Sequence, residues 1–318
     1  MKTANIDKYI HFCNEHSDIP IFSQPWWLDV VCPDSWDVIL IEKDNRIIAT
    51  FPYYKTKIKK IFSHIGMPPL TQKLGPYIVY DPNIITEDKK ISYEHKIYNE
   101  IIDKIPKCDK ISINFDWKYK NWLPFYWKGF KQTTRYTYIL NDIKNHDSIN
   151  SNYNNQKRNK LLKAKEILEV KYDLSPDIFI TYFSNVINDR NEKVSFCNKL
   201  FFRLYNAVYS ENAGKTFYCV DKSNNIHSIK MIVWDKECAY SILGMRKKEY
   251  STSGGTELLT DWIIKYVSQF VDRYDFEGSM IKGVEESYRH YGTHQTEYYN
   301  IFKYNNPIVR ILSAIKNN

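Results

Sequence analysis

The chain has 318 residues and a mass of 38.0 kDa, enough for one large domain or two of ordinary size. Aromatics make up 16% of it, including 26 Tyr and 8 Trp, which excludes a disordered chain. The formal charge of +8 suits an anionic partner, although the lysines travel with Asn, Ile and Tyr in a way that gene composition alone can produce.

The opening residues, MKTANIDKYIHFCNEH, lack the apolar run of a secretory signal. No stretch approaches the roughly 18 apolar residues of a membrane-spanning helix. A cytoplasmic protein, not integral to a membrane, is expected. Six cysteines without a C-x-x-C pair indicate neither a zinc site nor a disulfide framework, and no metal is expected.

In chain order, DVILIEKDNRIIATFPYY reads as a hairpin turning at Asp44-Asn45. GMPPLTQKLGPYI (66–78) follows as a rigid, irregular segment set by its prolines. LNDIKNHDSINSNYNNQ is polar enough to read as a linker over 141–155, which divides the chain into halves 1–145 and 146–318. A basic helix, KRNKLLKAKEILEV, opens the second half. A second hairpin, TFYCVDKSNNIHSIKMIVW, turns at Asn224-Asn225, and CAYSILGM forms a third strand. Six of the ten glycines then fall between 244 and 292. From Gly255, Leu258, Leu259, Trp262, Ile263, Tyr266 and Val267 recur at helical spacing, so a Gly-Gly turn leads into an amphipathic helix. The tail NPIVRILSAIKNN is apolar and basic, and packing against the body is expected of it rather than contact with a membrane.

The segment starting at Asp109 lies without gaps over the segment starting at Asp272, an offset of 163. Asp109/Asp272, Lys110/Arg273, Gly129/Gly292, Gln132/Gln295, Thr133/Thr296 and Tyr136/Tyr299 correspond. Each copy reads as a strand, a helix or long connection, a glycine and a second strand, which points to a duplicated domain.

The segments SQPWWLDVV, GMPPLTQKLGPYI, QKRNKLLKAKE, YDFEGSMI and YRHYG occur in the order seen in the FemAB-like branch of the GNAT acyltransferase superfamily, which the chain resembles. The resemblance implies an α/β fold of two tandem GNAT-like domains, each a mixed, mostly antiparallel sheet flanked by helices. It also implies an N-acyltransferase that moves an acyl or aminoacyl group onto an amine, on a small molecule or a cell-envelope or surface-glycan precursor such as one of peptidoglycan. The co-substrate would be acyl-CoA or aminoacyl-tRNA, and no stable DNA binding is implied. Two departures stand out. The usual pyrophosphate loop, Arg/Gln-x-x-Gly-x-Gly/Ala, is replaced by Arg246 followed by KKEYSTSGG. The lysine of the Phe-Lys-x-Gly-Phe-Gly segment found in relatives that use aminoacyl-tRNA is absent from SYRHYG, where Arg289 stands close by. A non-catalytic protein that holds tRNA or a phosphorylated glycan is the competing expectation.

Candidate site residues follow. Backbone amides near Gly244 and Met245 would hold the oxyanion of acyl transfer. Arg246, Ser251, Thr252, Ser253, Gly254 and Gly255 would bind donor phosphate at the helix start, or Ser253 merely caps the helix. Asp275 and Glu277, which alternation places on one strand face, would deprotonate or anchor the incoming amine, or form an acidic face. Arg289 and His290 would contact substrate, Arg289 by a bidentate grip or else in a surface ion pair. Gln72 and Tyr77 would line the cleft that the resemblance implies. The lysines 157, 160, 163 and 165 with Arg158 read individually as a solvated face and together as an attractor of phosphate.

Overall fold

The structure is a computed structural model and describes residues 3–192, 196–278 and 280–316. Its elements in chain order are α1 (Ala4–Glu15), α2 (Pro25–Val31), β1 (Trp36–Lys43), β2 (Arg46–Ile58), β3 (Phe62–Gly66), β4 (Tyr77–Ile78), α3 (Glu87–Lys104), β5 (Lys110–Asn114), α4 (Leu123–Trp127) and β6 (Lys131–Asn141). There follow α5 (His146–Asn152), α6 (Asn155–Ile167), β7 (Leu168–Tyr172), α7 (Pro176–Asp189), α8 (Asn198–Ser210), β8 (Gly214–Asp221), β9 (Ile226–Trp234) and β10 (Cys238–Arg246). The last elements are α9 (Gly255–Val267), β11 (Arg273–Asp275), α10 (Lys282–Arg289), β12 (His294–Tyr304) and α11 (Pro307–Lys316).

The chain forms two compact units, Met1–Arg135 with Glu297–Asn318, and Tyr136–Thr296. It passes between them inside β6 and β12. The expected halves 1–145 and 146–318 follow the chain without that return.

In the first unit the strand order is β1-β2-β3-β5-β12, with β4 beside β2. The pairings are antiparallel except β3 with β5. Asp44 and Asn45 both take the left-handed conformation, φ 51° and 60°, and close the β1–β2 hairpin between Lys43 and Arg46. Two positive-φ residues match the twist of the strands they join, and Asp and Asn tolerate that conformation best after glycine. Trp27, Phe51, Tyr98, Phe115 and Phe125 are buried in this unit.

In the second unit the order is β6-β11-β10-β9-β8-β7, and only β10 and β11 pair in parallel among the pairs described here. The α9 residues Leu258, Leu259, Ile263, Ile264 and Val267 are buried in its core, the stripe that their spacing predicts. The polar stretch over 141–155 is not a bare linker. It contains α5, and Ile143, Ile149 and Tyr153 are buried. Three apolar anchors among many Asn and Ser residues are enough to fix the segment, and the composition of the stretch hides them.

The repeat at offset 163 is present as structure. β6 and β12 have eleven residues each and begin 163 positions apart, and each follows a glycine at φ 81° (Gly129) or 72° (Gly292). The end of β6 pairs with β11 in the second unit, and the end of β12 pairs with β5 in the first. The last strand of each copy therefore completes the sheet that holds the first strand of the other.

Candidate active site

The site is built where β10 parts from β11. These strands run in parallel from Cys238↔Arg273 to Tyr240↔Asp275 and no further. The register of β10 against β9 shifts between Ser241 and Leu243, a bulge that bends the strand. Beyond it β10 keeps only β9, from Leu243↔Met231 to Arg246↔Ser228. Backbone polar groups of a strand alternate between its two neighbours, so alternate residues of this stretch turn theirs toward the opening. Gly244 is exposed there and Met245 is half-buried.

The loop after β10 is tied down by side chains. Arg246 Nη1 donates to the Ser251 carbonyl at 2.6 Å, and Lys247 N donates to the Tyr182 hydroxyl at 3.0 Å. Ser253 Oγ donates to the Tyr250 carbonyl at 2.9 Å and accepts from Gly255 N at 3.2 Å. A hydroxyl therefore already serves one of the amides at the start of α9, while Thr252 is exposed. Gly254 has φ 76°, and a Cβ there would overlap the Lys160 carbonyl; one at Gly255 would stand 2.8 Å from Cys219 Sγ. Close packing against α6 and β8 thus accounts for both glycines. A pocket of about 360 Å³ opens between α7 and Lys247, lined by Asp177, Ile178, Thr181, Tyr182 and Asn185.

Beneath the opening lies a buried charged cluster. Lys157 Nζ stands 3.1 Å from Glu257 Oε1 and 3.0 Å from Ser287 Oγ, and 4.4 Å from the centre of the Tyr291 ring. Lys157 and Glu257 are 6% exposed each. Burial pulls the Lys157 ammonium below its ordinary value, against the attraction of Glu257. Burial pushes the Glu257 carboxyl up, but Lys157 and then Lys160 outweigh it and leave the group below its ordinary value. Lys230 of β9 is 7% exposed and lies 5.8 Å from the centre of the Phe276 ring. Burial, and then the Lys157 charge, bring its ammonium down to about 7.

At the end of β11, Asp275 is fully buried and accepts hydrogen bonds from the Thr137 hydroxyl and, at 2.8 Å, from Glu277 N. Glu277 is 6% exposed and has φ 63°, a left-handed conformation that is rare for a residue with a side chain. The alternation expected of Asp275 and Glu277 therefore does not hold. The strand ends at Asp275, and the Asp275 carboxylate instead fixes the turn that carries Glu277.

Arg289 Nε donates to Glu285 Oε1 at 3.1 Å, an exposed pair within α10, and Glu285 also accepts from the Tyr138 hydroxyl at 3.2 Å. His290 caps α10, and its carbonyl accepts from Asn154 N at 3.0 Å. Gln72 and Tyr77 belong to the first unit. There the Gln72 carbonyl accepts from Asn114 Nδ2, and the Tyr77 hydroxyl donates to Asp18 at 2.7 Å. Among the described residues no group of three His, Cys, Asp or Glu is placed to hold a metal ion.

Gly244, Met245, Arg246, Ser251 to Gly255, Asp275 and Glu277 all lie in the second unit, as do Lys230, Glu257 and Ser287. Lysine in the middle of the apolar run IHSIKMIVW was the available signal for Lys230. Lys157 departs from the solvated face expected of its helix, because it shares a buried stripe with Leu161 and Ala164 at spacings of four and three.

No family model matches the sequence, and no curated protein matches it. Solved structures do match in fold. FemX is 14% identical with a TM-score of 0.68, over 94% of this chain and 96% of that one. L-PGS from Bacillus licheniformis is 11% identical with a TM-score of 0.56, over 98% and 97%. A tandem GNAT protein from the clavulanic acid biosynthesis pathway is 8% identical with a TM-score of 0.53, over 94% of each chain. The chain shares the fold of these structures, a tandem GNAT-like fold.

Proposed function

We propose that the second unit is an N-acyltransferase that moves an acyl or aminoacyl group from a thioester or ester donor onto an amine. The observation that carries this reading is the parting of β10 from β11 beside the bulge, with exposed backbone at Gly244 and Glu277 held at the end of β11. In the reaction the amine nitrogen bonds to the acyl carbon, the carbon–oxygen or carbon–sulfur bond breaks, and the leaving group takes up a proton. Backbone N–H groups near Gly244 and Met245 stabilise the oxyanion in this scheme. Glu277 accepts the amine proton, oriented through its N–H by Asp275. Lys230 stands beside the same cluster, its ammonium brought down to about 7 by burial and the Lys157 charge.

The turn that opens α9 favours an aminoacyl ester, as on tRNA, over CoA. A pyrophosphate at a helix N-terminus needs open amides and no competing anion. Here Ser253 takes the Gly255 amide, and Gly254 packs closely against the Lys160 carbonyl of α6. The acceptor class, a small molecule or a cell-envelope or surface-glycan precursor handled in the cytoplasm, is supported by the likeness in fold to FemX and L-PGS.

The deciding experiment is a thermal-melt titration with acetyl-CoA, free CoA and a non-hydrolysable aminoacyl-tRNA analogue, followed by mass spectrometry of an amine panel incubated with the matching live donor. Stabilisation by the tRNA analogue alone, with acylated amine that Glu277→Gln reduces about 100-fold, supports the scheme. Stabilisation by CoA species reassigns the donor. Salt-sensitive tRNA binding without product would establish a binding protein instead.

A further inference from the structure

Three isoleucines of α11 face solvent. Ile308 is 55% exposed, Ile311 61% and Ile315 68%, at i, i+3 and i+7, which is one helical face. Packing against the body, expected for this segment, is achieved through Val309, which is fully buried. A ten-residue helix resting on one edge leaves the other free.

The start of this helix is tied to a basic turn of the same unit by one carboxylate. Asp109 Oδ2 accepts from Ser63 N and Ser63 Oγ, each at 2.8 Å, and Asp109 Oδ1 accepts from Asn306 Nδ2 at 2.8 Å. Asn306 Oδ1 in turn caps Ile308 N at 2.9 Å. Two residues before Ser63 stands Ile61, 75% exposed, and before it Lys59 and Lys60, both exposed and both left-handed at the tip of the β2–β3 turn. Lys107 and Arg310 are exposed beside the same junction. The helix carries no acidic residue, and the hydrogen bonds from Asn306 and Ser63 hold Asp109 below the usual carboxylate range.

From this joined patch of exposed isoleucines and cations we infer that the first unit docks on an anionic lipid surface, with Ile61, Ile308, Ile311 and Ile315 entering the interface and Lys59, Lys60, Lys107 and Arg310 against the headgroups. A second copy of the chain is disfavoured as occupant, because a two-fold contact would bring the same cations face to face. Nucleic acid offers the isoleucines nothing. The inference does not depend on the transferase reading, and it places the molecule beside a membrane without crossing it, in keeping with the absence of a long apolar helix among the described residues.

The test is flotation of the intact protein with phosphatidylcholine vesicles, with and without phosphatidylglycerol, alongside sizing by light scattering. Binding only to the phosphatidylglycerol vesicles is expected, lost at about 0.5 M salt, where screening acts within a few ångströms. The pairs Ile311→Asn/Ile315→Asn and Lys59→Glu/Lys60→Glu should each weaken it about tenfold or more, with melting temperatures close to wild type because every position is exposed. Equal binding to neutral vesicles, or variants that bind like wild type, overturns the inference. So does failure to float, and a dimer abolished by the isoleucine pair would then identify a second copy as the occupant.

Discussion

Lys230 of β9 stands directly across the ladder from Gly244 of β10, and a Cβ at 244 would lie 3.3 Å from Lys230 Cγ. The exposed glycine thus leaves the buried lysine unroofed on that side. An ammonium held near 7 there is a cost to the fold, since burial opposes the charge at any lower pH.

The sign of that cost is fixed. From the folded value near 7 up to the ordinary value near 10.5, the unfolded chain holds a proton that the native chain lacks, so stability rises with pH across this window. The penalty is full below it and absent above it. Lys230→Met should therefore stabilise the protein by about 1–4 kcal/mol at pH 6 and hardly at all near pH 10.5. Urea melts of both proteins at several pH values check this; parallel curves would show that Lys230 is no more costly than a methionine.

The pair Lys157 and Glu257 behaves differently, because each partner satisfies the other. Removing one strands a charge in the core, so Lys157→Met or Glu257→Gln alone should cost about 3–5 kcal/mol, while the double substitution should recover most of it. A double-mutant cycle by chemical denaturation measures the coupling. Simple additivity would mean that the 3.1 Å contact contributes nothing.

Much of this architecture can be read from the sequence, for identifiable reasons. The hairpin at Asp44-Asn45, the α9 stripe and the repeat at offset 163 are local or periodic patterns, and the structure realises each. What escapes is non-local. The alternation of YDFEG predicts one face for Asp275 and Glu277, but the left-handed turn at Glu277 depends on Asp275 reaching back to its N–H. Lys157 is lost among the lysines of a basic helix, because the partner that satisfies its charge, Glu257, lies a hundred residues away. The glycines of the α9 turn are easily found, yet the neighbours that demand them, Lys160 and Cys219, lie on other elements.

Glu277 offers a test that separates function from folding. A non-glycine residue at φ 63° carries strain of about 1–3 kcal/mol, which glycine would release. Glu277→Gly should raise stability by about 1 kcal/mol while reducing acyl transfer about 100-fold or more. Melting temperature and turnover are read on the same preparation. A variant that loses stability would mark Glu277 as a structural anchor, and one that keeps full turnover would remove it from the mechanism.

The glycines of the repeat share a conformation but not a setting. Gly129 and Gly292 have φ 81° and 72°, so alanine at either meets the left-handed penalty of about 1–2 kcal/mol. Beyond that the two positions diverge. A Cβ at Gly129 finds only Lys303, at 3.9 Å, a flexible side chain that can move, whereas one at Gly292 would stand 2.6 Å from Asn152 Cβ and 2.9 Å from the Asn152 carbonyl oxygen. The backbone at the end of α5 cannot yield as a lysine can. Gly292→Ala should therefore cost about 2 kcal/mol more than Gly129→Ala in matched denaturant melts. Equal losses would mean that α5 gives way freely, and that conformation alone, not the closeness of Asn152, requires glycine at both places.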